Sequence, residues 1–527
     1  MSWHARALTP NASSTFTAGR GRPSRRALAL PLVCTLSLLA FAALPPVQQH
    51  ARLLWSIAGA AAILLGWIAV LALLPSSRRT FGLDIALRPQ HYVQACAHLS
   101  ILVYWGWHWR PVYDVAYLIV AQVLFAYAFD ALLAWSRGER FTLGFGPLPI
   151  VFSTNLFLWF EADWFFLQFL MIAVGFTAKA LIRWHRDGRQ THIFNPSSFT
   201  LALFSLALLA TGTSGITLGQ EIAVTQFFPP HMYAFLFLVA LPGQVLFGVT
   251  TMTMAAVVTT YGFGLVYFAL TGTYYFFDAY IPIAVFLGMH LLFTDPSTAP
   301  RTEGGRIVFG ALYGLSTLGL YAWLGAAGYP TFYDKLLQVP LLNLSVRAID
   351  RAVRSRPLAR LDPGRAWPAL AGRRRHLAYV SLWSMVFAAM TAAGGVGDDH
   401  PGQWLPFWQQ ACTEGRAGAC RHLSEMYATY CRAGSPWSCR EFESMGASGA
   451  AWRSVDADVP HRAAPGDASG GVRALPPIDE LPILLRGSKG PIVGSSAASL
   501  RARACAQGWP GSCPPPAPGG SAAVSRR

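Results

Sequence analysis

Apolar runs of membrane-spanning length alternate with short polar loops along residues 27–394. The first two runs lie close together within residues 27–75, which predicts a transmembrane hairpin that returns at "SSRRT". A signal peptide is the alternative for the first run, but the polar segment before it is long and a second run follows at once. Residues 1–26 are polar and rich in Arg and Ser, so we expect them to be disordered and cytoplasmic.

Ten further apolar runs lie within residues 84–353 and predict ten membrane helices. Some hold only about 16 residues, fewer than the roughly 20 that cross a bilayer. We therefore expect these helices to be tilted, broken or buried inside a bundle. The predicted spans are 92–109, 112–135, 142–160, 163–182, 198–213, 232–249, 251–271, 277–294, 306–325 and 332–353.

The charges in the loops predict one orientation. If the first of the ten spans enters from the cytoplasm, four basic loops fall on the cytoplasmic side: "SRGERF", "RWHRDGRQ", "TAPRTEGGR" and "RAIDRAVRSR". The acidic or neutral loops "FEAD", "TGTSGITLGQE" and "GAAGYP" fall on the other side. Because Lys and Arg accumulate in cytoplasmic loops, we expect a multi-pass protein of the bacterial inner (plasma) membrane with a cytoplasmic N-terminus.

The chain after the bundle is predicted to leave the cytoplasm. A basic Pro- and Gly-containing linker covers residues 354–375, and a last apolar run at 376–394 predicts one more crossing. Residues 400–445 then form a Cys-rich segment on the periplasmic side. Residues 446–527 are rich in Ala, Gly, Pro, Ser and Arg, and we expect them to be largely disordered.

The overall composition favours a membrane protein as well. Charged residues make up only 13% of the chain and apolar residues 53%, whereas an average soluble domain is about 25% charged. The net charge of +16 could indicate nucleic-acid binding, but the basic residues stand in short clusters between apolar runs. That distribution follows from the positive-inside rule. We therefore expect the lipid bilayer, and no nucleic acid, as a partner.

Six of the eight cysteines follow residue 410 and recur in the pattern C-x-x-G-x-x-x-x-C. In an oxidising compartment, two cysteines eight residues apart across a corner between helices can form a disulfide. Zinc is the alternative, but zinc sites favour shorter spacings and His ligands. The sequence leaves the pairing open. The disulfide candidates are Cys412, Cys420, Cys431, Cys439, Cys505 and Cys513.

The Cys-rich segment at 400–445 resembles the Sel1-like helical repeats, a class of interaction modules. The resemblance rests on "CTEGRAGAC" and "CRAGSPWSC" with the helical stretch "RHLSEMYATY" between them. It covers about 40 residues, whereas a repeat solenoid normally needs three or more repeats. The resemblance implies a small external helical module that binds a periplasmic protein partner.

Two loops carry polar residues in patterns that could form a site. In "RWHRDGRQTHIFNPSSF" (183–199) a proline opens the next helix, and the N–H groups of a helix start beside several arginines can bind an anion. In "LLFTDPSTAPRTEGGR" (291–306) paired glycines and an arginine open the next helix, where backbone N–H groups could hold a phosphate. For each loop alone, plain helix capping with positive-inside anchors is the simpler interpretation.

Together the two loops resemble the NqrB/RnfD family, the membrane subunits of the sodium-pumping quinone reductase and of the Rnf electron-transport complex. The family carries approximately HIFNPA at the first place and TDP, GR and FG at the second, and the resemblance covers about residues 84–353. It implies an all-α bundle of ten helices in two five-helix halves. It also implies flavin-mediated electron transfer coupled to ion movement, other membrane redox subunits as partners, and a flavin site lined by Asn195, Asp295, Gly305 and Arg306.

The residue that carries flavin in the family is missing from this chain. Typical members have an S-G-A-T motif before TDP, whose threonine holds FMN through a phosphoester bond. Counted back from Thr294, the corresponding residues are "PIAV" (282–285), and Val285 has no hydroxyl group. The resemblance therefore implies FMN or riboflavin bound without a covalent bond, or no flavin. The similar "SGIT" (214–217) lies in a predicted external loop after a different helix.

Ionisable side chains inside predicted spans are costly in a bilayer and are therefore candidates for function. His98, Asp130, Lys179 and His290 are of this kind. Asp130 and Lys179 lie near predicted cytoplasmic ends, where a long side chain can reach the interface. For His290, an interhelical hydrogen bond is the commoner role. We find no catalytic residue and no metal site in the sequence.

Three functions are compatible with these patterns. The first is a subunit of an Rnf- or Nqr-like electron-transport system with non-covalent flavin. The second is a small-solute or ion transporter on the same fold without redox chemistry. The third is a membrane scaffold that presents the external Cys-rich module. Because a fold does not determine function, the three functions have to be distinguished by the structure of the site.

Overall fold

The computed structural model describes most of the chain, and the predictions for its ends fall largely outside that part. The described residues are 16–20, 25–73, 81–186, 188–360, 362–363, 373–398, 400–447, 477–485, 496–509 and 512–513. Residues 361 and 364–372 of the linker predicted at 354–375 and most of the tail predicted at 446–527 lie outside them. The chain divides into two compact units, which are treated separately below: residues 1–262 with 281–393, and residues 263–280 with 394–527.

The first unit is built from helices, as the apolar runs predict; the helix Thr250–Thr271 continues from it into the second unit, which begins at residue 263. Short helical turns between the main helices are left unlabelled. The main helices are α1 (Ala29–Ala40), α2 (Ala51–Leu73), α3 (Pro89–His108), α4 (Ala116–Ser136), α5 (Pro147–Asn155), α6 (Phe166–Leu181), α7 (Pro196–Thr211), α8 (Gly219–Thr225), α9 (Met232–Phe247), α10 (Thr250–Thr271), α11 (Ile283–Leu287, continued by a π-helical turn Gly288–Leu292), α12 (Glu303–Ala326), α13 (Val339–Val353) and α14 (Arg373–Ala392).

Five helices of the described chain are long and apolar enough to cross a membrane. They are Arg26–Ala43, Ala51–Leu73, Ala116–Ser136, Thr250–Thr271 and Glu303–Ala326. The prediction of a mostly helical chain with transmembrane helices is confirmed at this level. Each of the ten predicted spans also contains a helix, although several of these helices are too short to cross a bilayer unaided.

The helices α3–α7 and α9–α13 form two series of five with matching contacts. In each series the first helix packs on the third, and the fourth packs on the fifth. The two series meet through equivalent members: α3 contacts α9, and α7 contacts α13. These two series are named the first and the second half.

The third helix of each half is shorter than its predicted span: α5 covers 147–155 of 142–160, and α11 with its π-helical turn covers 283–292 of 277–294. In the first half, α5 ends at Asn155, and the chain continues without helix through residues 156–160, which are all buried. In the second half, α11 ends in a π-helical turn at Leu292. Pro296 lacks an N–H group, so the helix cannot continue into the loop that follows. Both of these spans are therefore only partly helical.

A small-residue motif brings α12 against the start of α10. Gly310 and Gly314 are four residues apart and lie on one face of α12. A Cβ atom at Gly310 would lie 2.1 Å from the carbonyl oxygen of Met252, and one at Gly314 would lie 2.9 Å from that of Ala256. Glycine at both positions therefore lets the two backbones touch, as is common between membrane helices.

Two small β structures were not predicted from the sequence. Strands β1 (Phe16–Arg20), β2 (Leu83–Leu87) and β3 (Phe141–Leu143) form a sheet in that order, with β1 antiparallel and β3 parallel to β2. Strands β4 (Arg183–Arg186) and β5 (Arg189–His192) form a hairpin. The structure thus differs from the prediction of disorder for residues 1–26, because backbone pairing with β2 orders residues 16–20. All these strands are short, which explains why alternation did not reveal them.

The second unit has helices α15 (Leu405–Thr413), α16 (Ala419–Arg432), α17 (Pro436–Ala447), α18 (Leu481–Leu484) and α19 (Ala497–Ala506). Its core contains Trp408, Leu423 and Tyr427 from the first two helices. Leu481 and Leu500 join the same core from the segment that we expected to be largely disordered. Apolar side chains in that segment are few, but they suffice to attach α18 and α19 to the core.

Three disulfides follow the recurring cysteine pattern. They join Cys412 to Cys420, Cys431 to Cys439 and Cys505 to Cys513, each across a sequence separation of eight residues. The first bridge links α15 to α16 and the second links α16 to α17. Each bridge therefore fixes the corner between neighbouring structural elements.

Removal of one bridge should loosen the second unit measurably. Closing a loop of this length is worth about 2.5 kcal/mol in the chain-entropy account. We expect Cys431→Ala combined with Cys439→Ala to lower the local stability by about 2–3 kcal/mol. Amide hydrogen exchange of residues 405–447 in the full chain measures this. Cys96→Ala, which removes an exposed free thiol, is the control; equal protection in the double variant and the wild type would contradict the expectation.

His400 is a buried neutral histidine in the second unit. It is 3% exposed, and its Nδ1 accepts the N–H of Gly402 at 3.2 Å. The ring also packs edge-on against Tyr274, with 4.2 Å between the ring centroids. Burial lowers the pKa of His400 to about 4, because the charged ring would lose its hydration.

The second unit should therefore lose stability as the pH falls from about 6.5 to about 4. In that window the unfolded state binds a proton at His400 that the folded state does not, so stability rises with pH. We expect His400→Asn, whose side-chain oxygen can accept the same N–H, to flatten the dependence. Amide exchange of residues 405–432, corrected for intrinsic exchange at each pH, measures this effect. An equal slope in wild type and variant would show that His400 is not the titrating group.

Candidate functional site at the interrupted helices

The start of α7 holds the end of the interrupted helix α11. Asn195 is 5% exposed, and its Nδ2 donates to the carbonyl oxygen of Leu292 at 3.0 Å. Its Oδ1 accepts the N–H groups of Ser197 and Ser198 at 3.1 and 3.2 Å, which caps the first turn of α7. The hydroxyl of Ser198 donates to the same Leu292 oxygen at 3.0 Å. The side-chain amide of Asn195 thus forms hydrogen bonds with backbone groups at the start of α7 and at the end of α11.

Asp295 ties the loop after α11 to the hairpin strand β5. Its Oδ2 lies 2.9 Å from Nε2 of His192, and its Oδ1 accepts the N–H of Ser297 at 2.8 Å. Burial alone would raise the pKa of Asp295, but the charge and hydrogen bond of His192 and the N–H of Ser297 outweigh it. The pKa therefore lies below its ordinary value, and Asp295 is a carboxylate at neutral pH.

Gly305 and Arg306 lie in the first turn of α12 and take part in its capping. The Thr302 hydroxyl accepts the N–H of Gly305 at 3.1 Å, and a Cβ atom at Gly305 would lie 2.5 Å from that hydroxyl oxygen. Arg306 donates through Nη1 to Oε1 of Glu303 at 2.7 Å and through Nε to the carbonyl oxygen of Pro300 at 3.2 Å. Both residues therefore stabilise the turn that follows the loop.

A buried carboxylate, Asp350 of α13, accepts hydrogen bonds from the loop after α11. It accepts Nη2 of Arg186 at 2.9 Å, with both side chains almost fully buried. It also accepts the N–H of Arg301 at 3.0 Å, and the N–H and hydroxyl of Thr302 at 3.1 and 2.9 Å. One carboxylate thus joins the β4–β5 hairpin, the loop after α11 and helix α13. The sequence analysis did not single out this residue, because its partners lie 48 to 164 positions away.

The four predicted flavin-site residues lie in two neighbouring capping networks, and the polar atoms described above all bond to protein groups. At the family's flavin-bearing position, Val285 is 1% exposed and offers no oxygen. A flavin bound at these residues would have to displace those hydrogen bonds.

The first interrupted helix ends in a buried cluster of amides. Asn155 Nδ2 donates to Oε1 of Gln122 at 2.7 Å, and Nε2 of Gln168 lies 3.3 Å from the same oxygen. The oxygen of Gln168 accepts the N–H of Phe160 at 3.2 Å. Gln226 donates to the carbonyl oxygen of Leu156 at 2.7 Å. Side-chain amides therefore satisfy the backbone where α5 stops, as they do at the end of α11.

A small cavity lies between the first helices of the two halves and the π-helical turn of α11. It is lined by Gln94 of α3, Gln244 of α9 and His290 of the turn, among apolar neighbours. Neither amide atom of Gln244 nor Nε2 of His290 has a hydrogen-bond partner among the described residues. The cavity volume of about 10 Å³ is close to the space of one water molecule.

The hydrogen bonding of His290 differs from the expectation. Its Nδ1 lies 2.8 Å from the carbonyl oxygen of Phe286 in its own helix, and the ring is 1% exposed. The expected interhelical hydrogen bond is not seen among the described residues; the ring edge with Nε2 lines the cavity. π-Helical turns are rare and often occur at functional sites, so the position of His290 is notable for this reason as well.

The other ionisable residues named from the sequence lie apart from this cavity. His98 is fully buried, with Nδ1 2.7 Å from the carbonyl oxygen of Gln94. Asp130 is half-buried in α4. The Lys179 ammonium lies 5.9 Å from the centre of the Phe176 ring at the end of α6. The structure does not join these three residues into one site.

The sequence analysis overlooked two kinds of buried polar residue. Gln122 and Gln244 stand alone within "LIVAQVLFAY" and "LVALPGQVLF", and an uncharged amide in an apolar run was the available signal. Asp334 and Lys335 form a buried pair at 3.1 Å, with the Tyr313 hydroxyl donating to the Lys335 carbonyl oxygen. Here the signal was two adjacent opposite charges at the start of a predicted span.

The fold and the comparisons with known proteins bear on the class to which the chain belongs. The described chain is mostly helical, and its long apolar helices are compatible with a multi-pass membrane protein. Among the described residues, no group of His, Cys, Asp and Glu could hold a metal ion. Comparison of the chain with protein-family models, curated proteins and solved structures gives no match.

Loss of Asp350 should destabilise the first unit strongly. Removing one partner of a buried ion pair leaves the other charge without compensation and costs about 3–5 kcal/mol. We expect Asp350→Ala to lower the free energy of unfolding by that amount in a detergent titration of the full chain. The control is Asp163→Ala, whose ion pair with Arg52 is exposed and should matter by less than about 1 kcal/mol. Equal small effects would refute the structural role of Asp350.

Proposed function

We propose that the chain is an integral protein of the bacterial plasma membrane that moves a cation across the bilayer, as the ion-translocating subunit of an Rnf- or Nqr-like electron-transport system. The observation that carries the proposal is the interrupted third helix in each half, α5 and α11. Paired interrupted segments at corresponding positions are typical of transporters whose ion site lies near the bilayer midplane. Non-helical backbone at that depth is tolerated only where protein or a water-filled cavity surrounds it.

The number of helices gives the two halves opposite orientations in this proposal. Each half has five helical segments, and an odd number of crossings returns the chain on the opposite side. Helix α5 would then run outward from the cytoplasmic side, and α11 would run inward from the outside. Helix C-termini carry a partial negative charge, so each of the two ends attracts a cation rather than an anion.

In this proposal, the structure represents a closed state of the ion pathway. The carbonyl oxygens of Leu292 and Leu156 at the helix ends already accept hydrogen bonds from Asn195 and Gln226. An ion can bind these oxygens only if the amides withdraw. A small displacement of α7 from α11 would release Leu292, and the carbonyl oxygens could then replace part of the ion's hydration shell.

Gln244 and His290 supply the polar groups beside the second interruption. Both side chains are buried, and their atoms named above lack partners among the described residues. Leaving such groups unsatisfied in an apolar interior costs about 1–3 kcal/mol each. A water molecule or a partly hydrated ion in the cavity would remove that cost. Pro242, two residues before Gln244, interrupts the hydrogen bonding of α9 and adds flexibility at this point.

Electron transfer through a non-covalent flavin is the second part of the proposal, and it rests on the sequence. The joint occurrence of "HIFNPSSF" and "LLFTDPSTAPRTEGGR" favours it. The side-chain hydrogen bonds of Asn195 and Asp295 to protein groups weigh against flavin at those residues. The external Cys-rich unit, with its three disulfides, suits a periplasmic protein partner.

Ion flux through reconstituted protein tests the transport part. We expect the full chain in liposomes to accelerate sodium or proton flux above that of empty liposomes. Gln244→Leu, which removes the buried amide, should reduce the flux about tenfold, as expected for a loss of roughly 1.4 kcal/mol at the barrier. Thr35→Val in α1 alters a buried hydroxyl bonded within its own helix and is the control. Flux at the level of empty liposomes, or equal flux in Gln244→Leu and wild type, would exclude the proposed pathway.

An absorbance spectrum of the purified chain, before and after denaturation, tests the redox part. Flavin absorbance that stays with the denatured chain would contradict non-covalent binding, and flavin released on denaturation would support it. A colourless protein that still conducts ions would leave transport without redox chemistry. The two measurements therefore separate the two parts of the proposal.

A further inference from the structure

A wide basic cleft opens in the first unit, away from the interrupted helix ends. Its volume is about 660 Å³, within the range of small-ligand sites. Three separate segments line it: the β4–β5 hairpin, the loop after α11 and the end of α13. The basic lining residues are His185, Arg186, Arg301, Arg347, Arg351 and Arg354.

The one carboxylate in the lining is already neutralised. Asp350 accepts the guanidinium of Arg186 and the backbone N–H groups of Arg301 and Thr302. Its side chain is almost fully buried, so it does not offset the arginines that face the open cleft. Besides Arg186, which is paired with Asp350, the arginines of α13 line the cleft: Arg347, Arg351 and Arg354.

Three of these arginines lie along one face of α13. Arg347, Arg351 and Arg354 are spaced i, i+4 and i+7, so their side chains project on the same side of the helix. Arg347 is held in place, because its guanidinium lies 4.2 Å from the centre of the Trp184 ring and donates to the carbonyl oxygen of His185. Arg351 and Arg354 are exposed. A partly fixed row of guanidinium groups costs less to order around a ligand.

Positive-inside anchoring and the negative end of α13 explain a basic helix terminus in part. They do not require the β4–β5 hairpin to hold Arg347 beside Arg351 and Arg354 on an open cleft. Like charges placed together repel, and a folded protein keeps such an arrangement where a counter-charge binds. The convergence of three segments on one cleft therefore points to an anionic ligand.

We propose that this cleft binds a phosphate-bearing anion. Guanidinium groups form paired hydrogen bonds to phosphate oxygens, and several of them around one cleft suit a ligand with two or more phosphate charges. In the orientation that the loop charges predict, the cleft faces the cytoplasm near the membrane surface. A soluble phosphorylated metabolite and the headgroup of an anionic phospholipid both supply this chemistry. The site goes beyond the proposed ion pathway and does not depend on it.

Binding of inorganic pyrophosphate to the purified full chain tests the proposal. We expect saturable binding by isothermal titration calorimetry at low salt. Arg351→Gln with Arg354→Gln should weaken it at least about tenfold, because two charge-assisted contacts are lost. Both positions are exposed, so the variant should fold, and an unchanged thermal unfolding midpoint checks this. Arg189→Gln with Arg360→Gln removes two exposed charges outside the cleft lining and should change the dissociation constant less than about twofold.

A lipid measurement distinguishes the two sources of the phosphate. Protein extracted from vesicles of phosphatidylcholine and phosphatidylglycerol is examined by native mass spectrometry for retained phosphatidylglycerol. Retention that is lost in Arg351→Gln/Arg354→Gln but kept in the control supports a headgroup in the cleft. Pyrophosphate binding without such retention supports a soluble ligand. Equal losses in both double variants, or neither pyrophosphate binding nor lipid retention in the wild type, would overturn the proposal.

Discussion

The hydrogen bonds from side-chain amides to the carbonyl oxygens at the ends of two interrupted helices are the interactions on which the first unit depends. The side-chain amide of Asn195 donates to the carbonyl oxygen of Leu292, and that of Gln226 donates to the carbonyl oxygen of Leu156. In an apolar interior each unpaired backbone group costs several kcal/mol. Without these amides, α5 and α11 would have to continue as helices or admit water. Their presence lets two non-helical segments persist inside the bundle.

The rest of the unit is arranged around these two ends. Asp295 and His192 fix the loop after α11 to the hairpin, and Asp350 binds the next stretch of the same loop to α13. His290 in the π-helical turn lines the small cavity, and the arginines of α13 line the basic cleft. A movement of α7 would disturb both the capping of α11 and the hairpin that helps to line the basic cleft. The proposed ion pathway and the proposed anion site are therefore joined by one loop.

Much of this arrangement was predictable from apolar length and charge. Each apolar run predicted for the membrane domain contains a helix, but α5, α11 and α13 are shorter than their predicted spans. The recurring cysteine pattern selected the six residues that form disulfides. The strands escaped notice because they have three to five residues and depend on partners elsewhere in the chain. The role of Asp350 was not predicted for the same reason, since its partners lie 48 to 164 positions away in the sequence.

The opposite orientation of the two interrupted helices is the central claim, and cysteine labelling from each side of the membrane tests it most directly. Single cysteines replace Glu139 before α5, Arg301 after α11, Glu161 after the first interruption and Tyr329 after α12, in a chain with Cys34 and Cys96 changed to serine. The account predicts that a membrane-impermeant maleimide labels positions 139 and 301 only from the cytoplasmic side, and positions 161 and 329 only from the outside. Labelling of positions 139 and 301 from opposite sides would contradict it.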